Sequence, residues 1–178
     1  MLGFGNSRPA IGSLVEAHYA ALYRYAFRLS GSSQDAEDLT QETFCLAQKK
    51  LFQLREEGKA KSWLFTILRN GYLHRLRESK QVKQVSLDAV GEIPERGPEP
   101  LPAVDSAQLQ KALNELPEAF RTPIILYYFD DFSYKDIAEQ MNVPLGTVMS
   151  RLARAKTFLR QRLAEPAELM GNTNQGEG

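Results

Sequence analysis

Thr147, Ser150, Arg151 and Arg154, with Lys156, Arg160 and Arg162 further round, fall in a run that holds no acidic residue from Leu145 to Ala164. Guanidinium groups bond guanine edges bidentately and hydroxyls reach bases or phosphates, so this set suits the major groove of duplex DNA. A second cationic set comprises Lys59, Lys61, Arg69, Arg75, Arg77 and Lys80, with Glu78 the one acid between Ala60 and Leu87. Trp63, Phe65 and Tyr72 are interleaved with it. Cations neutralise phosphates and rings stack on unpaired bases, which is what capture of a single strand requires. For Trp63 and Tyr72 a place in the core competes with that role, and for Trp63 it is preferred. A third set is acidic: Asp35, Glu37, Asp38 and Glu42 crowd one helix start. Carboxylates there complement the helix dipole, but four exceed what the dipole needs and suit a surface for a basic partner. Phe44, off the main apolar stripe, fits either an anchor on that surface or the core. Reaction chemistry is not indicated. His18 and His74 have no ligand-spaced partners, so no metal is expected, and no phosphate loop, dinucleotide glycine motif or nucleophile elbow occurs. The expectation is a protein without enzyme activity or cofactor.

These sets need helices to hold them. Ser133 with Asp136 three residues on is a helix-start signature, and Ile137, Ala138 and Met141 give the short helix that follows one apolar face. Asn142-Val143-Pro144 ends it, because proline lacks an N–H and disfavours helix in the residue before it. The next helix buries Val148, Leu152, Ala155, Leu159 and Leu163, spaced by three or four, and turns the cationic set outward. A short helix, a tight turn with small Gly146 and a basic second helix make a helix-turn-helix. Upstream, Leu14, Val15, His18, Tyr19, Leu22, Tyr23, Ala26 and Phe27 predict a helix from Ile11 to near Ser30-Gly31. The acidic helix follows from Ser32-Ser33, then a loop over 54–61 pivoting on Gly58, then a third helix burying Leu64, Ile67, Leu68 and Tyr72. Residues 80–104 carry Pro94, Pro98, Pro100 and Pro102 with Asp88, Glu92, Glu95 and Glu99, an acidic linker that cannot build a core. Asp105-Ser106 caps a further helix to Leu116, and Pro117 opens another. The run PIILYYF within that last helix has strand propensity, but no partner strand is in sight.

The fold class expected is therefore all-α: two small helical domains, 11–79 and 105–165, joined by the linker 80–104, with a loose leader over 1–10 and a frayed tail over 166–178. The chain of 178 residues has 43% hydrophobic and 25% charged residues, as soluble globular proteins do. No apolar run is long enough to cross a membrane and the N-terminus lacks a signal pattern, so a cytoplasmic protein is expected. Cys45 is the single cysteine, which excludes an internal disulfide; a small core residue is the preferred reading over a redox sensor. Lys plus Arg and Asp plus Glu number 22 each, a zero net charge that conceals alternating acidic and basic blocks.

DAEDLTQETF (35–44), WLFTILRN (63–70), LNELPEAFR (113–121) and SYKDIAEQMNVPLGTVMSRLARAK (133–156) occur in that order. Together they resemble the extracytoplasmic-function branch of the bacterial sigma factors, over residues 12–163. The resemblance implies a subunit that binds core RNA polymerase, recognises the −35 and −10 promoter elements and promotes transcription initiation. It implies that Asp35, Glu37, Asp38, Gln41 and Glu42, with Phe44, meet the polymerase. It implies that Arg55, Lys59, Lys61, Arg69, Asn70, Arg75 and Arg77 take the opened −10 strand, that the linker threads toward the active centre, and that the last helix reads the −35 duplex. An anti-sigma partner and a monomeric free state are implied as well. Met149 and Thr66 depart from the family's usual basic residues, and His74 from its usual Asp or Asn.

Two other classes compete. A helix-turn-helix regulator with an N-terminal interaction domain would bind a palindrome without polymerase and has no reason to carry the single-strand set. A recombinase-like enzyme needs a supported nucleophile on the first domain, and no persuasive set is present.

Overall fold

The computed structural model describes residues 9–79 and 105–164, which form seven α-helices and, among the described residues, no strand. The linker at 80–104 and the tail at 166–178 lie outside them, as does most of the leader. Helix α1 (Ile11–Ser30) ends where Gly31 adopts φ 73°, its N–H bonded to the Phe27 carbonyl. Ser32 caps α2 (Ser33–Lys50) by accepting from the Asp35 N–H, and Lys49 and Lys50 close its last turn. The loop over 54–61 is partly ordered as a 3₁₀ turn at Glu57–Lys59 before α3 (Ala60–Glu78).

Helix α4 (Ser106–Glu115) starts at Asp105, whose side chain makes no cap bond, contrary to the capping expected of it. The PIILYYF run is helical within α5 (Glu118–Asp130), which buries Ile124, Ile125 and Leu126 against helices on either side. Helix α6 (Tyr134–Met141) carries the full capping box, Ser133 Oγ accepting from the Asp136 N–H and Asp136 accepting from the Ser133 N–H. Asn142 ends it at φ 52°, and Val143 and Pro144 lead into α7 (Leu145–Ala164).

Helices α1, α2 and α3 pack on one another, and α4, α5 and α6 pack around α7. The two groups are in contact. Helix α1 touches α4 and α5, α3 touches α6, and the apolar core runs through both groups without a break. At the junction Phe65 of α3 meets Phe132, with ring centroids 5.1 Å apart, and stacks on Tyr25 of α1 at 4.8 Å.

Candidate nucleic-acid interface

Helix α7 is anchored by Val148, Leu152, Ala155 and Leu159, all buried, while Leu163 is half-buried near the end. The rest of the helix is thereby turned away from the core. Thr147, Ser150, Arg151, Arg154, Lys156 and Arg160 are all partly exposed. The Pro144 carbonyl accepts from the N–H groups of Thr147 and Val148, so the turn and the first helical residues are one hydrogen-bonded unit. Met149, which departs from the family's usual basic residue, is 51% exposed, and Leu145, one turn before it and not singled out by the sequence, is 49% exposed.

Helix α3 does not present the whole second set. Arg69 donates through Nε and Nη2 to Glu118 Oε1 at 3.1 and 2.9 Å, and its side chain is only 11% exposed. Lys61 donates to the Asp130 carbonyl at 2.5 Å and lies over the Phe132 ring. Arg75 pairs with Glu42 of α2 at 2.6 Å, so a residue assigned to the strand meets one assigned to the polymerase. Lys59 pairs with Glu56, and Arg77 bonds back to the Leu73 carbonyl. Arg55, Asn70 and Arg77 are exposed. Of the aromatics, Phe65 is fully buried and Tyr72 is buried with its hydroxyl donated to the Leu29 carbonyl at 2.9 Å, so both serve the core. Trp63 is half-buried against that core.

The contacts that occupy Lys61 and Arg69 belong to a larger seam between the helix groups. Arg121 of α5 donates to the Leu29 carbonyl at 2.6 Å, to the Tyr72 hydroxyl at 3.2 Å, and to the Asn114 and Leu116 carbonyls of its own group. The Arg28 guanidinium lies 3.8 Å over the Phe129 ring. Gly31 sits so close to the Asn114 side chain that a Cβ there would fall 2.7 Å from Asn114 Nδ2, a second reason besides its positive φ for glycine. Asp130 is buried at the seam, and its Oδ2 has no hydrogen-bond partner among the described residues. Burial pushes its carboxyl up to about 7, against the pull of Lys61, Arg24 and Arg28. Nothing in the sequence links Arg69 to Glu118 or Lys61 to residue 130, because each pair is brought together only by packing.

On α2, Asp35, Glu37, Asp38, Gln41 and Glu42 are all exposed, and the buried stripe of Ala36, Leu39, Thr43 and Ala47 explains why. Phe44 is not the exposed anchor: it is 8% exposed and stacks on Tyr19 at 6.3 Å, because α1 lies over that side of α2. Apolar exposure near this face comes instead from Leu46 and from Phe52, which is 61% exposed. The expectation that Cys45 is a core residue is also corrected, since its thiol is exposed on the same helix. Phe52 was detectable in the sequence as an apolar residue surplus to the stripe in LFQL.

Residues 14–82 match the family model for sigma-70 region 2, and residues 106–159 the model for sigma-70 region 4. The chain is 37% identical over 162 residues to the ECF RNA polymerase sigma factor SigE of Mycolicibacterium smegmatis, covering 88% of this chain and 63% of that relative's length. It is 30% identical over 170 residues to the ECF RNA polymerase sigma factor SigW of Bacillus subtilis, covering 89% of this chain and 91% of that one. Among solved structures, the sigma factor RpoE from Bartonella quintana, crystallised in complex with the anti-sigma factor NepR, superposes with a TM-score of 0.67 at 32% identity. That match covers 85% of this chain and 95% of RpoE.

Proposed function

The chain belongs to the ECF family of RNA polymerase sigma factors, and from that premise we propose which of its surfaces does each part of a sigma factor's work. Residues 11–79 form the domain that docks on core polymerase and takes the −10 element, 80–104 the linker, and 105–165 the −35 domain, with 166–178 a tail. Asp35, Glu37, Asp38, Gln41 and Glu42 make an acidic docking face on α2, with Phe52 and Leu46 as its apolar neighbours in place of Phe44. Arg55, Lys59, Lys61, Arg69, Asn70, Arg75 and Arg77 receive the opened −10 strand. Thr147, Ser150, Arg151, Arg154, Lys156 and Arg160 read or clamp the −35 duplex, the first turns of α7 lying nearest the bases. The protein works as a regulatory subunit in the cytoplasm, without catalysis of its own, and is held in reserve by an anti-sigma protein, as RpoE is found with NepR.

The observation that carries this reading is the order of the two regions along the chain, region 2 on the helices with the acidic and strand-capturing sets and region 4 on the helix-turn-helix. A regulator that acts without polymerase has no use for the first of these. Transcription in vitro tests it: purified chain, core polymerase and a promoter library should yield transcripts from a defined −35/−10 class. Tight, palindrome-specific binding by the chain alone, with no transcripts when core is present, would refute it.

A further inference from the structure

Leu145 and Met149 stand out on α7 because, on a helix whose outer side is otherwise small, polar or cationic, they are the large apolar side chains left half in solvent. They lie at i and i+4, so they share one edge of the helix, and both belong to its first turns. Their exposure is not a packing accident at a frayed end. The turn before them is hydrogen-bonded through the Pro144 carbonyl, and Val148 between them is fully buried, which fixes the helix rotation and hence where both point. Ser150, Arg151 and Arg154 continue the same turns with hydroxyl and cationic groups. A flat apolar partner would leave those cations unpaired, whereas a groove walled by phosphates pairs them and still offers one apolar feature. In the major groove that feature is the thymine 5-methyl group. The occupant that fits this mixed surface is therefore duplex DNA with a thymine beside the apolar edge.

We propose that Met149, backed by Leu145, reads a thymine methyl group in the −35 element and so sets base preference at one position where Arg151 and Arg154 do not. The inference rests on the assignment of α7 to the −35 duplex. Methionine suits the task, since its unbranched, polarisable thioether adapts to a methyl surface, and it supplies no donor for a guanine edge. Leu145 also lines an open hollow with Ala138, Val143 and Pro144, edged by Lys135, Glu139 and Asn142, so the apolar edge continues onto the turn.

The test uses holoenzyme reconstituted with the full chain and a −35 duplex selected from a randomised library. Each thymine of the element is replaced in turn by deoxyuridine, which removes only the methyl group. Wild-type holoenzyme should lose about fourfold in affinity at one thymine, the worth of burying one methyl group. Met149→Ala should bind the thymine and uracil duplexes equally, and its half-exposed position leaves folding unaffected. Met149→Lys should move the preference at that base pair toward guanine. Insensitivity of the wild type to uracil at every thymine, an element with only G·C pairs, or an unchanged thymine preference in Met149→Ala would each overturn the proposal while leaving the −35 assignment standing. Holoenzyme whose binding is blind to the whole −35 sequence would overturn both.

Discussion

Arg151 and Arg154 lie in the early turns of α7, and Arg160 lies two turns later, so their losses should differ in kind. Alanine at Arg151 or Arg154 should cost about 1–3 kcal/mol on the preferred −35 sequence and relax preference at one base pair. Alanine at Arg160 should weaken all sequences alike and lower the salt slope by about one. Holoenzyme binding to −35 variants at several salt concentrations checks this, and equal, sequence-blind losses at all three would reduce α7 to a backbone clamp. Asp130 carries a second residue-scale expectation. Its folded-state pKa of about 7 lies above the ordinary 3.8, so the folded chain holds the proton more tightly than the unfolded one. The stability that follows is complete below about pH 4 and is lost as pH rises toward 7, by an amount on the order of 4 kcal/mol. Lys61, Arg24 and Arg28 face the carboxyl and oppose the shift, and Asp131 reinforces it. His18, whose pKa burial lowers, titrates nearby with the opposite slope. The measurement is therefore the difference between wild type and Asp130→Asn in urea unfolding at pH 5 and pH 8. Asp130→Asn should gain on the wild type at the higher pH, and parallel profiles would contradict the assignment.

At the scale of the element, α2 separates its tasks by face. Its apolar stripe binds α1 and α3, and its carboxylates point outward, Glu42 alone pairing among the described residues, with Arg75 at 31% exposure. An exposed ion pair of this kind is worth at most about 1 kcal/mol. Asp38→Lys with Glu42→Lys should therefore unfold within about 1 kcal/mol of wild type yet fail to assemble with core polymerase. Circular dichroism with a native-gel or interferometry assay of core binding decides it, and normal assembly by a folded double variant would remove the docking assignment. Helix α3 is divided differently. One edge is committed to the core through Phe65, Leu68 and Tyr72, and the cations at its start and middle are held by α5 and the turn after it. Its exposed cation is thus Arg77 near the C-terminal end, with Lys59 exposed just before its start.

The whole molecule is closed along the seam through which Glu118, Arg121 and Asp130 hold Arg69, Leu29 and Lys61. Strand capture by Lys61 and Arg69 requires those contacts to part, so the two helix groups should separate when polymerase engages both. Cys45, the single cysteine and exposed, accepts one dye, and Gln161→Cys, also exposed, accepts the other. Energy transfer should be high in the free chain and fall when core polymerase is added. Glu118→Ala with Arg121→Ala should lower it in the free chain, since the first leaves the partly buried Arg69 without its carboxylate and the second removes the bonds to the Leu29 carbonyl and Tyr72 hydroxyl across the seam. Unchanged transfer on binding core would mean that the closed seam survives in the holoenzyme and that Lys61 and Arg69 do not meet the strand.

Local signals in the sequence determined α1, α2, α6 and α7: the Ser32 and Ser133 caps, the Gly31 stop, the Asn142-Val143-Pro144 break, and the apolar stripe of α7 at three- and four-residue spacing. Such features act over one or two turns, so they survive without knowledge of the rest of the chain, and they also exposed the α2 carboxylates and the α7 cations. What required the tertiary structure was any property that depends on a neighbour distant in sequence. Phe44 became core because Tyr19 covers it, Arg69 became an ion-pair partner because α5 brings Glu118 to it, and Cys45, next to Phe44 in sequence, faces solvent. An apolar or charged side chain carries the same chemistry in either setting. The packing of α1 on α2, and of α4–α6 against α1 and α3, decided which of these groups faces water, and so which are presented to a partner in the closed molecule.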